Sequence, residues 1–329
     1  MFVILCLYIS TILLSYPIIK NSIEYKYYII ELYLKSYFFT ALIGILFFIG
    51  YYKKIFSIQF ISLFQIQVQK GAGGLLRISP GSYPNEYGTV SSFSLSIIIL
   101  FLFNYKKLYN KKFIFKNDRD IIIYIMFCLI TLVVLFLTTT RSAYLTFIIS
   151  LIYIIFSHKK KIQALTYISL FFVFLYNLIQ NFFYNIKKIL LSGINEIFTQ
   201  SVGTGARINA WNDGYLSFKD HVIFGTGFNS TGGTYIHNVY LQLLFELGII
   251  GVFVLFCTFL LVKLLNNKYA TYIEKVNYSY FIILTKIKNI SIIHVLIFAL
   301  TNHNLNHHLT WFCVLLILIT NYKLNLKST

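Results

Sequence analysis

Apolar runs long enough to cross a bilayer recur along the whole chain. They fall at about residues 1–19, 36–52, 55–69, 87–105, 120–139, 141–157, 162–180, 237–262, 287–302 and 308–321. A helix needs about 20 mainly apolar residues to span the hydrocarbon of a membrane. Because the runs are continuous rather than alternating, strands of a β-barrel are not favoured. The pattern predicts an all-α fold, a polytopic bundle of about ten transmembrane helices in a single integral membrane domain over residues 1–329.

Composition supports membrane residence and excludes an ordinary soluble domain. The mean hydropathy is +0.73 and only 12% of residues are charged, against roughly a quarter in soluble proteins. The four cysteines all lie inside apolar runs, without the spacing of a metal site or a disulfide framework: Cys6, Cys128, Cys257 and Cys313. The run Met1–Ile19 lacks a basic start and a small-residue cleavage site, so we expect a retained first span.

The lysines predict the topology of the bundle. With ten spans, the main basic clusters all fall on one side of the membrane: Lys53-Lys54, residues 106–119, Lys159–Lys161, residues 263–288, and Lys323 with Lys327. Positive charge is enriched in cytoplasmic loops, so both termini are expected in the cytoplasm. The segment 20–35, with Lys20, Lys26 and Lys35, is the exception and is expected outside. The positive-inside topology accounts for the net charge of +18, so a nucleic-acid partner is not needed to explain it.

Two connections then face the other side, a first external loop at 70–87 and a large external loop at 181–236. Five of the 17 glycines lie in 71–88 and eight in 193–233. Glycine permits a positive φ and a close approach of backbone to a ligand. We therefore expect irregular, shaped loops in which a site can be built.

Arginine is rare here, since the chain has 24 lysines but only four arginines. A guanidinium holds phosphate oxygens through two parallel hydrogen bonds, which an ammonium cannot imitate. Arg77, Arg141 and Arg207 fall on the external side, against the positive-inside bias, and are candidate anion ligands. They could instead reach outer headgroups or pair with Glu86 and Asp213. Arg119, between Asp118 and Asp120, is interpreted as one of the cytoplasmic charges that orient the chain in the membrane.

Arg141 follows three threonines where one span ends and the next begins. A charge at that position is costly unless it is paired or lines a polar cavity. The threonine hydroxyls can satisfy backbone groups freed by the reversal. A tight turn between helices is the simpler interpretation, but it does not explain why the charge is an arginine.

His237 opens the span after the large loop and is the candidate general base, because histidine can accept a proton near neutral pH. A structural histidine bonded to a carbonyl is the alternative. Asn238 is expected to cap that helix, and Tyr240 fits an interfacial aromatic belt. Trp211 either stacks on a sugar or anchors the loop.

Other chemistries receive little support. His303, His307 and His308 cluster before the last span, but no carboxylate or cysteine lies close in sequence. We therefore expect a polar turn there rather than a metal site. A phosphate-binding P-loop, a nucleophile elbow and a dinucleotide fingerprint are all missing from the sequence. Neither a metal nor a cofactor is expected.

Taken together, the ordered motifs resemble a family of bacterial envelope glycosyltransferases, the O-antigen ligases and O-antigen polymerases. The resemblance rests on Thr138–Ala143 (TTTRSA), Gly203–Trp211 (GTGARINAW) and Gly225–Phe228 (GTGF) followed by His237–Gly251 (HNVYLQLLFELGIIG). The segment Arg77–Glu86 resembles a looser upstream motif of the family. The similarity covers residues 70–260.

The resemblance implies glycosyl transfer at the outer face of the bacterial cytoplasmic membrane, from an undecaprenyl-diphosphate-linked saccharide to a sugar hydroxyl. Carried over residue by residue, Arg141 and Arg207 would hold the diphosphate, with Arg77 assisting, and His237 would activate the acceptor. Asn238, Trp211 and Tyr240 would support the site. Lacking an obvious carboxylate nucleophile in the loops, the sequence predicts inversion at the anomeric carbon.

Three functions remain open at this point. A polymerase would use another lipid-linked repeat unit as acceptor, and the short chain favours it. A ligase would transfer finished polymer to lipid A-core or to protein. A non-catalytic transporter would need polar residues in the span centres, which look mostly apolar. The sugar, the linkage and the existence of a chain-length regulator cannot be read from the sequence.

Overall fold

The structure, a computed structural model, describes residues 23–64, 66–70, 76–80, 84–110, 117–138, 140–158, 204–227, 238–268, 271–273, 278–301, 308–320 and 322–324, and the single residues 114, 162, 166, 169 and 236. This part of the chain is largely helical. It contains ten helices: α1 (Ile23–Tyr52), α2 (Ile58–Ser62), α3 (Pro84–Phe103), α4 (Tyr105–Asn110), α5 (Asp118–Thr138), α6 (Arg141–Ser157), α7 (Thr204–Phe218), α8 (Val239–Lys268), α9 (Tyr278–Thr301) and α10 (His308–Ile319).

Two small sheets accompany the helices. Strands β1 (Ile66–Lys70) and β2 (Leu76–Pro80) form an antiparallel pair, in which Val68 lies opposite Ile78. Strands β3 (Thr271–Ile273) and β4 (Tyr322–Leu324) pair in parallel. Apart from these short pairs, the described chain agrees with the predicted helical fold.

Five described helices are long and apolar enough to cross a membrane: Glu24–Tyr52, Asn85–Phe103, Asp118–Thr138, Val239–Cys257 and Tyr280–Leu300. Helix α6 and the segment Leu309–Ile319 are shorter apolar helices. The chain is thus a helical membrane protein. The predicted spans 1–19 and 162–180 lie outside the described residues, apart from isolated positions in the second.

The predicted spans 36–52 and 55–69 are wrong as two separate crossings. Helix α1 is continuous from Ile23 to Tyr52, and the chain then forms the five-residue helix α2 and strand β1. Ser57 caps the start of α2, since its hydroxyl accepts from the backbone N–H of Phe60 at 3.1 Å. The cytoplasmic placement of both termini assumed an even number of spans. Because one crossing replaces two, that assumption no longer holds, and the placement of the termini stays a prediction.

The expectation that segment 20–35 is an external connection is also wrong for its described part. Residues 23–35 belong to α1. The hydroxyl of Tyr27 donates to the carbonyl of Tyr280 at 2.9 Å, and its ring lies 6.3 Å from that of Phe101. The start of α1 therefore lies with the end of α3 and the start of α9, beside the lysine-rich segments 106–119 and 263–288. The prediction that Lys53-Lys54 shares their side is wrong, because this pair follows the other end of the continuous helix α1. Pairing of Lys35 with Glu31 at 2.6 Å partly offsets the charge in this helix.

Helix α9 begins earlier than its predicted span at 287–302 because its polar residues find partners. The Nζ of Lys286 donates to the carbonyl of Ser157 at 2.8 Å. The amide of Asn289 donates to the hydroxyl of Tyr153 at 2.7 Å. Two bonds to α6 thus keep these polar positions inside the packed helix.

Helix α3 forms the centre of the bundle, in contact with α1, α5, α6 and α9. Its serines Ser91, Ser92, Ser94 and Ser96 are all fully buried. Small residues let helix backbones approach closely in lipid, where packing rather than the hydrophobic effect holds helices together. The hydroxyls of Ser91 and Ser96 bond back to the preceding turn, each at 2.8 Å.

Candidate active site

The threonine turn between α5 and α6 packs directly on the start of α3. A Cβ on Gly88 would come within 2.8 Å of the side chains of both Thr138 and Thr140. As the sequence predicted, hydroxyls satisfy the reversal: Thr138 donates to the carbonyl of Leu135 at 2.8 Å, and Thr140 to that of Thr138 at 3.2 Å. Thr139 lies outside the described residues. The contact fixes this turn against the helix that comes after the first loop.

Arg141 is the first residue of α6, and its side chain is exposed. The N-terminus of a helix carries partial positive charge, so a cation there is unfavourable by roughly 0.3–1 kcal/mol. The partial charge of the helix terminus therefore does not favour an arginine at this position. An anion bound beside it would gain from both the guanidinium and the helix terminus.

Arg77 lies on β2, where its backbone is in register with Gln69. Strand β2 contacts α1, α3 and α5, and the chain enters α3 at Pro84, soon after Pro80 ends the strand. The backbone of Arg77 is thus carried at the end of the bundle where α3 begins. The side chains of the two strands lie outside the described residues.

Helices α7 and α8 pack through a hydrophobic cluster of Phe218, Ile236 and Phe245, with Trp211, Leu241 and Leu244 against it. The rings of Phe218 and Phe245 are 5.3 Å apart. A Cβ on Gly214 would come within 2.9 Å of Phe245 and Ile236. A larger residue at this position would therefore have to displace the side chain of Phe245 or Ile236.

Trp211 is half-buried, and its packing favours the anchor role of the two that the sequence allowed. It packs on the cluster between α7 and α8, and its indole Nε1 is buried without a hydrogen-bond partner. Arg207 lies one turn earlier on α7, but its side chain lies outside the described residues.

Asn238 caps α8 as expected. Its Oδ1 accepts from the backbone N–H groups of Tyr240 at 3.0 Å and Leu241 at 3.2 Å. His237, which precedes this cap, lies outside the described residues. Tyr240 donates its hydroxyl to the carbonyl of Leu296 on α9 at 3.4 Å, which ties the start of α8 to the end of α9.

These contacts bring several helix ends to one end of the bundle. The Oγ of Ser92 lies 3.1 Å from Nε2 of His294, and the Oγ of Ser150 lies 3.5 Å from Nδ1 of the same ring. Ser92 and Ser150 are each about two turns past the start of their helices, and His294 is about two turns before the end of α9. The starts of α3, α6 and α8 therefore lie with the ends of α5 and α9, and with them Arg141 and Asn238.

Sequence reasoning missed His294. A lone histidine inside an apolar run was the available signal, together with four serines in six residues of α3. His303 and His307 lie outside the described residues, as does the side chain of His308. Among the described residues no group of three or more His, Cys, Asp or Glu side chains has the geometry of a metal site.

The second missed feature is a break in α8 at Gly248, which has φ 66° and ψ −176°. A short segment after α7, Val222–Gly227, crosses the helix there. A Cβ on Gly248 would come within 2.4 Å of the backbone N of Gly225 and the carbonyl O of Ile223. Gly225 itself has φ 74°. The GTGF and ELGIIG motifs thus meet as two backbones in direct contact, which requires glycine on both sides.

Part of the chain matches a known protein family. Residues 126–256 match the family described as O-antigen ligase. The match includes Arg141, Arg207 and His237, whereas Arg77 lies before it. A search of curated proteins found no match. The resemblance drawn from the motifs is confirmed by this match at residues 126–256, which supports a role in polysaccharide processing at the membrane.

Proposed function

We propose that the protein is a glycosyltransferase that polymerises undecaprenyl-diphosphate-linked repeat units into O-antigen or capsular polysaccharide. The acceptor would be the terminal sugar of another lipid-linked unit. The observation that carries the proposal is the exposed Arg141 at a helix N-terminus, held on α3 by the threonine turn inside the O-antigen ligase domain. The protein would lie in the bacterial cytoplasmic membrane, with the site facing the periplasm or the exterior.

In this proposal the arginines stabilise the leaving group. Cleavage of the bond between the anomeric carbon and the diphosphate develops negative charge on the departing oxygen. Arg141 and Arg207, with Arg77 in assistance, would bind the diphosphate and stabilise that charge. The donor is already activated, so the reaction needs neither a metal ion nor a cofactor.

His237 would act as the general base. It takes the proton of the attacking sugar hydroxyl while the new glycosidic bond forms and the bond to the diphosphate breaks. A single displacement of this kind inverts the anomeric configuration. The cap made by Asn238 supports this role because it fixes the backbone directly after the histidine.

The ligase is the second candidate, and the description of the matching family favours it. A ligase would use the same donor chemistry but transfer finished polymer to lipid A-core or to protein. Deletion of the gene separates the two functions. Surface glycan of single repeats supports the polymerase, whereas accumulated lipid-linked polymer supports the ligase.

A transporter is the alternative from another class, and the buried polar groups around His294 bear on it. Transport of a saccharide needs polar groups that line an open path. Here Ser92 and Ser150 each lie within hydrogen-bonding distance of His294 in a packed core, which favours a structural role. Proteoliposomes that move a lipid-linked saccharide without forming glycosidic bonds would support transport and contradict catalysis.

The direct test is an assay with purified protein and a defined undecaprenyl-diphosphate repeat unit, alone and with a core acceptor. The polymerase extends the unit without the core acceptor. If purified protein forms no glycosidic bond with either acceptor, the proposal fails. A chain-length regulator would change the length of the product in this assay but not the requirement for the arginines.

A further inference from the structure

We infer that the segment Val222–Phe224 is a hydrophobic tip inserted among the lipid chains of the membrane, held in place by the crossing at Gly248. The predicted external loop 181–236 would thus enter the membrane rather than lie wholly above it. The inference does not rest on the proposed glycosyl transfer. It rests on three observations about the crossing.

The first observation is that α7 and the tip run alongside α8 into its apolar part. Phe218 packs on Phe245. Beyond it, the backbone N–H groups of Ile249 and Ile250 donate to the carbonyls of Val222 and Ile223, at 3.0 and 3.1 Å. Gly248 is the tenth residue of the window Val239–Cys257, which is apolar enough to span a membrane. The tip therefore lies beside residues of a membrane-spanning segment.

The second observation is that the crossing satisfies backbone groups on both sides. At the break, the carbonyl of Phe245 accepts from the N–H of Thr226 at 2.9 Å, and that of Glu246 from the N–H of Gly227 at 3.0 Å. The hydroxyl of Thr226 adds a bond to the carbonyl of Phe245 at 3.1 Å. Irregular backbone at membrane depth is tolerated only where such groups are paired. Together with the two bonds from Ile249 and Ile250, and the bond from the N–H of Gly225 to the carbonyl of His221 at 2.7 Å, these contacts pair much of the backbone where the loop meets the break.

The third observation is the apolar surface of the tip. Val222, Ile223 and Phe224 are exposed by 37%, 58% and 76%, next to Ile249 and Ile250 at 56% and 44%. Together they form one surface continuous with the exposed apolar face of α8, which includes Phe253, Val254 and Phe256. That face belongs to a helix long and apolar enough to span a membrane, so we expect it to contact lipid. Continuity with it identifies lipid hydrocarbon as the partner of the tip.

The polar residues before the tip limit how deeply it can enter the membrane. Lys219, Asp220 and His221 directly precede the tip and are exposed. Charged groups favour the headgroup level, and a lysine can reach it from slightly below. The tip is therefore expected in the half of the membrane entered by the start of α8, no further than about 15 Å along the helix from Val239.

Tryptophan fluorescence in proteoliposomes tests the position of the tip. The reporter is Phe224→Trp in full-length protein with Trp211→Phe and Trp311→Phe. Phe256→Trp serves as the lipid-facing control and Asn117→Trp as the aqueous control. Lipids brominated close to the headgroup should quench the Phe224→Trp reporter by at least half of the effect seen for Phe256→Trp, and aqueous iodide should quench it little. Iodide quenching equal to that of Asn117→Trp, without quenching by lipid, overturns the inference.

A second experiment tests whether the crossing at Gly248 holds the tip in place. Gly248→Ala places a methyl group against the backbone of Gly225 and Ile223 and should release the tip, so that iodide quenching of the Phe224→Trp reporter rises at least two-fold. Gly227→Ala is the matched control, because Gly227 also has a positive φ but a Cβ added there would meet no atom within 4 Å. Equal quenching in the Gly248→Ala and Gly227→Ala variants contradicts the role of the crossing. Neither readout depends on catalytic activity.

Discussion

The Oγ of Ser92 lies 3.1 Å from the Nε2 of His294, and this contact joins α3 to α9 in the interior of the bundle. On the other edge of the ring, Nδ1 lies 3.0 Å from the carbonyl of Ile290. Because a carbonyl only accepts, this contact favours the tautomer with the proton on Nδ1, in which Nε2 can accept from the hydroxyl of Ser92. Ser150 of α6 approaches the same ring at 3.5 Å. One buried imidazole therefore connects three helices.

Replacing His294 by alanine should destabilise the bundle. The change leaves a cavity and removes the partner of the buried Ser92 hydroxyl, and each such loss costs about 1–3 kcal/mol. We expect a clear fall in the thermal midpoint of the protein in detergent, measured by size-exclusion chromatography after heating. Leu296→Ala is the control, since Leu296 lies on the same helix but is 50% exposed. Equal midpoints for the two variants would contradict a structural role for His294.

The sequence predicted the type of fold well because long apolar runs specify spanning helices almost regardless of context. It did not predict where α1 begins or the hairpin after α2. Residues 23–35 contain Lys26, Glu31 and Lys35, which lower the apparent hydropathy of a segment that is helical. Burial of Lys26 and Glu31 is set by tertiary packing, and hydropathy along the chain carries no information on that.

The candidate site was predictable in its residue types but not in its backbone geometry. The rarity of arginine and the threonine turn pointed to Arg141, and the turn is present. By contrast, the glycines of the two motifs indicated only shaped loops. The crossing of Gly225 with Gly248 joins positions 23 residues apart through backbone atoms, and backbone pairing of this kind leaves no side-chain pattern to read.

Arg141→Lys and Arg207→Lys should each lower kcat/KM at least ten-fold although both keep the charge. The expected loss follows from the change of two parallel hydrogen bonds to a single point charge on the diphosphate. The measurement is extension of a defined lipid-linked repeat by purified protein. Arg119→Lys is the matched control, because Arg119 lies at the lysine-rich end and should tolerate the change. Full activity of Arg207→Lys would remove the argument for bidentate binding.

His237→Ala should reduce turnover by about 10²–10⁴-fold, the usual contribution of a general base. Binding of the lipid-linked donor should change little, because the arginines carry it. Turnover and donor binding are measured on the same preparation. His221→Ala provides the comparison, since His221 is exposed and its Nδ1 lies 3.1 Å from the carbonyl of Ser217. Normal turnover in the His237→Ala variant rules out this histidine as the base.

Asn238→Ala should lower both the stability of the protein and its turnover. The substitution removes the acceptor of two backbone N–H groups at the start of α8, and loss of a helix cap costs about 1 kcal/mol. Asn238→Asp keeps an acceptor oxygen, adds a charge that the helix N-terminus favours, and should restore the thermal midpoint. If the cap also orients His237, turnover recovers together with stability in the aspartate variant. Recovery of stability without turnover would show that the amide, and not the cap alone, is needed at the site.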